Sequence, residues 1–395
     1  MSPDSASRRL VGIDLARCLA LLGMMATHVL DPVASDGSLA AGQWLAGGRA
    51  SALFAVLAGL SLALMTGGPR PVTGRERRAR SAGLAVRALL IAVLGLALGD
   101  LDSGLAVILT YYGLLFCCAL PFLGLRARSL LGLAAVWVVL APVMSHLVRP
   151  LLPGRGTASP TFAALADPAQ LGSELLLTGY YPVLPWLAYV LVGLALGRLD
   201  LGSRRVQARV TVVGGALAVV ASAVSASLTR QASVVAALAS DPQTGESGAE
   251  LLDRISYGVF GSTPTGGAWQ WLLVVAPHSG TPFDLAQTIG SALLVTGLCL
   301  LVVGVLPEAG ERFVAVFFGA GTMTLTLYTL HVVMKTPEVW PAERPDTYVW
   351  HVLVVLGVGS LYAGQRRRGP LEQGVSLASG SLTRAARGIR SPTPT

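Results

Sequence analysis

Lysine is almost absent from this chain: Lys335 stands alone against 28 arginines, and only 13% of the 395 residues are charged. That is about half the ~25% of an ordinary globular protein. With 53% hydrophobic residues and a mean hydropathy of +0.64, the composition excludes a soluble domain. Cysteine is scarce as well. Cys18, Cys117, Cys118 and Cys299 all fall in apolar stretches, with no C-x-x-C and no histidine at metal-ligand spacing, so neither a disulfide framework nor a zinc site is expected. Strand-type alternation is missing too. Without it there is no strand-to-helix setting for a G-x-S-x-G elbow, a phosphate-binding P-loop or a dinucleotide fingerprint, and soluble-enzyme chemistries lose their footing.

What the chain does have is apolar runs. A helix needs about 20 residues to cross the hydrocarbon, and ten segments qualify, with cores near 10–30, 50–66, 83–100, 104–124, 129–147, 181–198, 210–227, 285–306, 313–334 and 348–364. This predicts an all-α polytopic bundle of about ten spans. With the N-terminus cytoplasmic, the inner loops hold Arg70, Arg75, Arg77, Arg78 and Arg80, then Arg126 and Arg128, then Arg198, Arg204, Arg205 and Arg209, then Arg312, and finally Arg366, Arg367 and Arg368. Arg87, one turn into the third span, reaches the same side by snorkelling. Outer segments carry fewer basic residues over longer loops, so both termini are expected inside. The net charge of +8 therefore reports topology, and no nucleic-acid partner is expected.

The first run follows Arg8 and Arg9, carries Asp14 and Arg17, and lacks a small-residue cleavage site, so it is expected to stay as a span. Two long outer loops are expected, near 148–180 and 228–284. The second includes Trp269, Trp271, Pro277 and His278 around Trp271 to Ala276, a stretch too short to cross. Beyond Ala378 the sequence turns rich in Ser, Gly, Arg, Thr and Pro, which divides the chain into a membrane domain (1–378) and a disordered cytoplasmic tail (379–395). No internal repeat or matching pair of broken helices is found.

Ionisable groups in hydrocarbon are costly and face an interior or a wet path. Asp14, Arg17 and His28 lie within about 60° of one another around a helix at about 100° per residue, so an acid, a base and an imidazole share one face of the first span. The histidine lies about 16 Å beyond Arg17 at about 1.5 Å per residue, so the pair and the imidazole serve opposite ends. The simpler reading makes Arg17 a snorkelling residue paired with Asp14 and His28 an interfacial one. Thr324, Tyr328 and His331 form a second narrow stripe, which can equally tie helices together. Arg49 opens the second span at its outer end, as a site residue or an interfacial anchor. His278 sits in Pro277-His278-Ser279-Gly280-Thr281-Pro282-Phe283-Asp284, a turn that can bind a sugar or be merely polar. His146 and His351 have no motif around them and receive no role.

The opening segment from Arg9 to His28 resembles the signature of the transmembrane acyltransferase superfamily, D-x-x-R-G followed by a histidine at the far end of the helix, and in particular bacterial heparan-alpha-glucosaminide N-acetyltransferase-like proteins. Cys18 stands where that pattern has glycine. Gly48 to Gly59 resembles the second-span motif. Ile108 to Gly113, Tyr181 to Trp186, and Thr324 to His331 resemble later ones, and Arg368-Gly369-Pro370-Leu371-Glu372 is similar to the end of a related bacterial membrane family. The resemblance implies transfer from a cytoplasmic acyl-CoA to an acceptor across the membrane. It makes His28 the base or transient acyl carrier and Arg17, oriented by Asp14, the residue that engages the donor. The acceptor side is then expected at Arg49, His278, Tyr328 and His331.

The expected protein is thus a multi-pass acyltransferase of the cytoplasmic membrane. It would move an acetyl or short acyl group from acyl-CoA to an extracytoplasmic carbohydrate amine or hydroxyl, with no permanently bound cofactor and no metal. Its partners would be acyl-CoA, the glycan acceptor and the bilayer, with a homodimer left open. Two rivals remain: a transporter or flippase of a small anionic metabolite, with Asp14, Arg17 and His28 as a relay, and a structural subunit of an envelope assembly.

Overall fold

The structure, a computed structural model, describes residues 3–156, 159–240, 252, 254–259, 261, 263–264, 267–339 and 344–387, with residues 3–10 as backbone only. Its helices are α1 (Pro3–Val29), α2 (Ala41–Ala46), α3 (Arg49–Met65), α4 (Gly74–Gly99), α5 (Leu109–Ala119), α6 (Ala127–Val148), α7 (Pro168–Ser173), α8 (Val183–Gly197), α9 (Arg204–Thr229) and α10 (Ala232–Ala239). These are followed by α11 (Pro282–Val305), α12 (Glu308–Phe317), α13 (Thr324–Met334), α14 (Tyr348–Gly364) and α15 (Pro370–Arg387). No strand occurs among the described residues, only an isolated bridge between Val33 and Leu39. The chain is all-α.

α8 is the centre. All of it except Leu184 is buried, because its sequence is apolar on every face. It crosses α3 where Gly193 meets Gly59. A Cβ on Gly193 would collide with the Val56 carbonyl, so only glycine lets the two backbones touch, the close approach that packs helices in lipid. α6 and α9 lie outside this core and expose Val136, Val139 and Leu140, and Val212, Val213, Val219 and Val220, the faces that hydrocarbon would cover.

Six helices are long and apolar enough to cross a membrane, and a seventh crossing arises if Pro168–Thr178 and Val183–Gly197, bent by 52°, count as one. Ten full spans are not found among the described residues. The other three expected segments hold shorter apolar helices, Leu109–Gly124, Thr324–Met334 and Tyr348–Gly364. In 313–334 the glycines of Gly319-Ala320-Gly321-Thr322 form a 3₁₀ turn between α12 and α13, which breaks what reads as one run. At about 1.5 Å per residue α13 covers roughly 16 Å, half of the ~30 Å hydrocarbon.

One further expectation changes. Residues 379–387 are helical, the end of α15, whereas 388–395 lie outside the described residues. Leu371, Val375 and Ala378 recur at helical spacing and turn toward the bundle, a pattern diluted in the sequence by Ser and Gly. Arg387 Nε donates to Glu76 of α4 at 2.9 Å, and Arg80 binds the same carboxylate at 2.6 Å. In the second long loop, Trp271, Val274 and Ala276 pack with Val234, Leu238 and Ile255 into a small separate core.

Candidate active site

The apolar stretch Val11–Val29 of α1 presents polar chemistry to the bundle near each of its ends. Near its N-terminal end Arg17 Nη1 donates to Asp14 Oδ1 at 2.5 Å, and Nη2 donates to Ser61 Oγ of α3 at 2.7 Å. The guanidinium fork is thereby fixed between two helices, as pre-organised anion recognition requires. Arg87 of α4 lies within electrostatic reach of both Arg17 and Glu372. Glu372, from α15, accepts hydrogen bonds from Leu325 N at 2.7 Å, Thr326 N at 3.1 Å and Thr326 Oγ1 at 2.6 Å, and so caps the start of α13.

At the C-terminal end of α1 His28 lines a cavity of about 160 Å³. Five sequence segments far apart in the chain meet there: His28 from α1, Gly48 and Ser51 at the start of α3, Ile108 before α5, Tyr181 before α8, and Tyr328 from α13. These are the segments that carry the acyltransferase resemblance. Local contacts hold them in register. Ile108 N donates to Tyr328 Oη at 3.3 Å, Tyr180 N donates to Tyr111 Oη at 3.2 Å, and Tyr112 Oη donates to the Ser51 carbonyl at 3.5 Å.

The wall opposite α1 is the 274–281 loop. His278 lines the cavity with Tyr180, Tyr181 and Tyr257, and its ring lies 5.3 Å from Tyr180, 5.6 Å from Tyr181 and 6.3 Å from Trp186. Its backbone is left-handed (φ 58°), and the following turn is built to hold it there. Asp284 accepts from Gly280 N at 3.0 Å, and Thr281 Oγ1 accepts from Asp284 N at 3.0 Å, capping α11. Gly48, also left-handed at φ 68°, lets α3 begin against this loop: a Cβ there would stand 3.1 Å from Pro277 Cα. Burial pushes the His278 imidazole down to about 4, so it is neutral at physiological pH.

His28 does not stand alone. Its ring is nearly parallel to that of His331, with 7° between planes and centroids 5.2 Å apart, and His28 Nδ1 is 3.0 Å from His331 Nε2. His331 Nδ1 is in turn 3.0 Å from Nδ1 of His351 on α14. The structure thus brings His28, His278 and Tyr328 to the cavity and sets His331 behind His28 rather than on the cavity wall. Arg49 lies beside the cavity without lining it: its guanidinium donates to the Trp44 carbonyl and faces the charge of Asp284. Asp14 and Arg17 lie three to four turns back along α1 from His28. His351, Tyr180, Tyr257 and Gln43 carry no local motif, and sequence reasoning passed over them; His351 is recognisable only through a partner 20 residues away in sequence. Among the described residues no group of three His, Cys, Asp or Glu is placed to hold a metal ion.

Comparison with known families gives a match to the catalytic region of heparan-alpha-glucosaminide N-acetyltransferase over residues 9–230, which takes in Asp14, Arg17, His28, Arg49 and the bundle from α1 to α9. No curated protein matches the chain. A match over more than half of the sequence, whose N-terminal residues build the His28 wall of the cavity, places this chain in the heparan-alpha-glucosaminide N-acetyltransferase catalytic family.

Proposed function

We propose that this protein is a multi-pass acyltransferase of the cytoplasmic membrane. It takes an acetyl or short acyl group from acyl-CoA on the inner side and passes it to a carbohydrate amine or hydroxyl on the outer side. The observation that carries this reading is the convergence of five separated segments on one small cavity with an imidazole in its wall. Family membership supplies the reaction class.

An amine or hydroxyl must lose a proton as it attacks a thioester carbonyl. A neutral imidazole suits that task near pH 7, and His28 is the group positioned to take it. The nucleophile forms the new C–N or C–O bond, the C–S bond breaks, and the proton held by His28 passes to the departing thiolate. Aromatic walls at Tyr180, Tyr181 and Tyr257 offer flat apolar surface to a sugar ring, with Gln43 and His278 as hydrogen-bonding groups. At the inner end Arg17, pre-oriented by Asp14 and Ser61, engages the anionic donor. The thioester itself drives the transfer, so no ion gradient is required. The test is direct: purified protein given radiolabelled acetyl-CoA should release free CoA, faster with an amino sugar or other glycan acceptor. Absence of both label transfer and CoA release would return the chain to the transporter or structural readings.

A further inference from the structure

Two imidazoles behind His28 have no part in the reaction as written. His331 and His351 are fully buried, on α13 and α14, and with His28 they form an unbroken line from the cavity into the bundle. A neutral imidazole carries one N–H and one lone pair. Both ring nitrogens of His331 are taken up by other histidines, so it donates on one side and accepts on the other. The hydrogens of all three rings are therefore linked. When His331 donates to His351, it accepts from Nδ1–H of His28, and Nε2 of His28 keeps its lone pair. When His331 donates to His28, Nε2 of His28 carries the hydrogen and has no basicity to offer.

We propose that His351 is a positioning residue acting through His331: by accepting at Nδ1 it selects the first arrangement and makes His28 Nε2 the basic nitrogen. The coupling of the three tautomers follows from the hydrogen-bond line alone. Its catalytic use rests on the acyl-transfer reading. In that reaction, as Nε2 takes the nucleophile's proton, Nδ1–H of His28 shifts to His331 Nε2 and Nδ1–H of His331 shifts to His351 Nδ1. The positive charge is shared over three rings instead of one. When the thiolate leaves, the shifts reverse and Nε2 delivers the proton to sulfur. One proton enters the line and one leaves.

A line of polar side chains that merely tied α1, α13 and α14 together would have no preferred direction for its hydrogens, and this separates the two roles. The chain has only five histidines, so ¹⁵N-histidine labelling of the full-length protein in detergent or nanodiscs resolves each ring. The expected wild-type spectrum has His28 Nδ1 protonated and Nε2 bare. His351→Phe should convert His28 to a mixture of tautomers while the His146 and His278 signals stay in place. His351→Asn, whose amide can still accept near the position of Nδ1, should restore the wild-type pattern. In acyl-transfer assays His351→Phe should lower kcat by roughly tenfold to a hundredfold, the scale on which partners orienting a functional imidazole act, with acceptor KM unchanged and His351→Asn recovering most of it. A wild-type His28 bearing its hydrogen on Nε2 overturns the proposal without any variant, as does a His28 spectrum indifferent to His351→Phe. If the tautomers respond as expected and no form of the protein transfers acyl groups, the positioning role stands and the acyltransferase reading falls.

Discussion

In the proposed reaction His28 is the residue on which the chemistry turns. An outer-end side chain adds little to the stability of a span, so His28→Gln should insert and fold normally while acyl transfer drops by at least ~10²-fold, the usual loss for a general base. A Gln variant retaining most of the activity would reduce His28 to a positioning role. At the other end of α1 the fork of Arg17 is engaged by Asp14 and Ser61. Arg17→Lys should keep the charge, lose the fork, and raise KM for the donor; donor KM identical to wild type would mean that a point charge suffices. Both residues were legible in the sequence because their spacing on one helix face can be read without the rest of the fold. His351 was not. Its meaning comes from an imidazole on another helix, and no local pattern encodes a through-space pair. The same limit applies to Arg49, which its position near the start of α3 brings to the edge of the cavity but whose guanidinium turns to the Trp44 carbonyl.

At the scale of elements, the short pieces matter most. α13 is half a span long, yet it carries Tyr328 to the cavity and His331 to a place behind His28, and its start is held by the carboxylate of Glu372 reaching over from α15. Glu372→Ala removes three acceptor contacts and should lower unfolding free energy by about 1 kcal/mol, the typical worth of a helix cap, measurable by thermal unfolding in detergent. Glu372→Gln, which keeps an acceptor oxygen, should lose less. Residues 379–387, the end of the helix that carries Glu372, read as disordered from their Ser, Gly, Arg and Thr content, whereas the helix is held by a narrow apolar stripe laid against α4. The His278 loop supplies a pH test. The free imidazole titrates near ~6.5, but in the fold it stays neutral down to about 4. As pH falls between those values the unfolded chain binds a proton that the folded one refuses, so this residue's contribution to stability is intact above pH ~6.5 and lost toward 4. His278→Gln should therefore lose less stability than wild type between pH 7 and 4.5; parallel curves would place the imidazole in a more hydrated setting.

For the whole molecule, apolar runs located the long helices of the bundle but not α15, because the bilayer demands length and hydrophobicity whatever the neighbours. They could not tell a full crossing from a broken one, since Gly319-Ala320-Gly321-Thr322 is apolar by composition and a turn by geometry. What composition does carry is direction. Arginines cluster at 70–80, 126–128, 198–209 and 366–368, and the positive-inside rule puts those loops in the cytoplasm. The proposed reaction needs the same orientation independently, since acyl-CoA is made inside and must meet Arg17, while His28 opens toward the acceptor. Reporter tags after Gly68 and after Gln365 should accordingly be cytoplasmic, and a tag after Gly156 external, as judged by protease or thiol-reagent access in intact cells. The parity of the crossings decides this: if the bent pair at α7 and α8 were a re-entrant loop instead of a span, the tag after Gly156 would still be external but the side of every later loop would invert, so Gln365 would be found outside. A cytoplasmic Gly68 with an external Gln365 would thus keep the donor at Arg17 and correct only the span count. An external Gly68 is incompatible with the mechanism, because it would turn the inner end of α1 away from the donor.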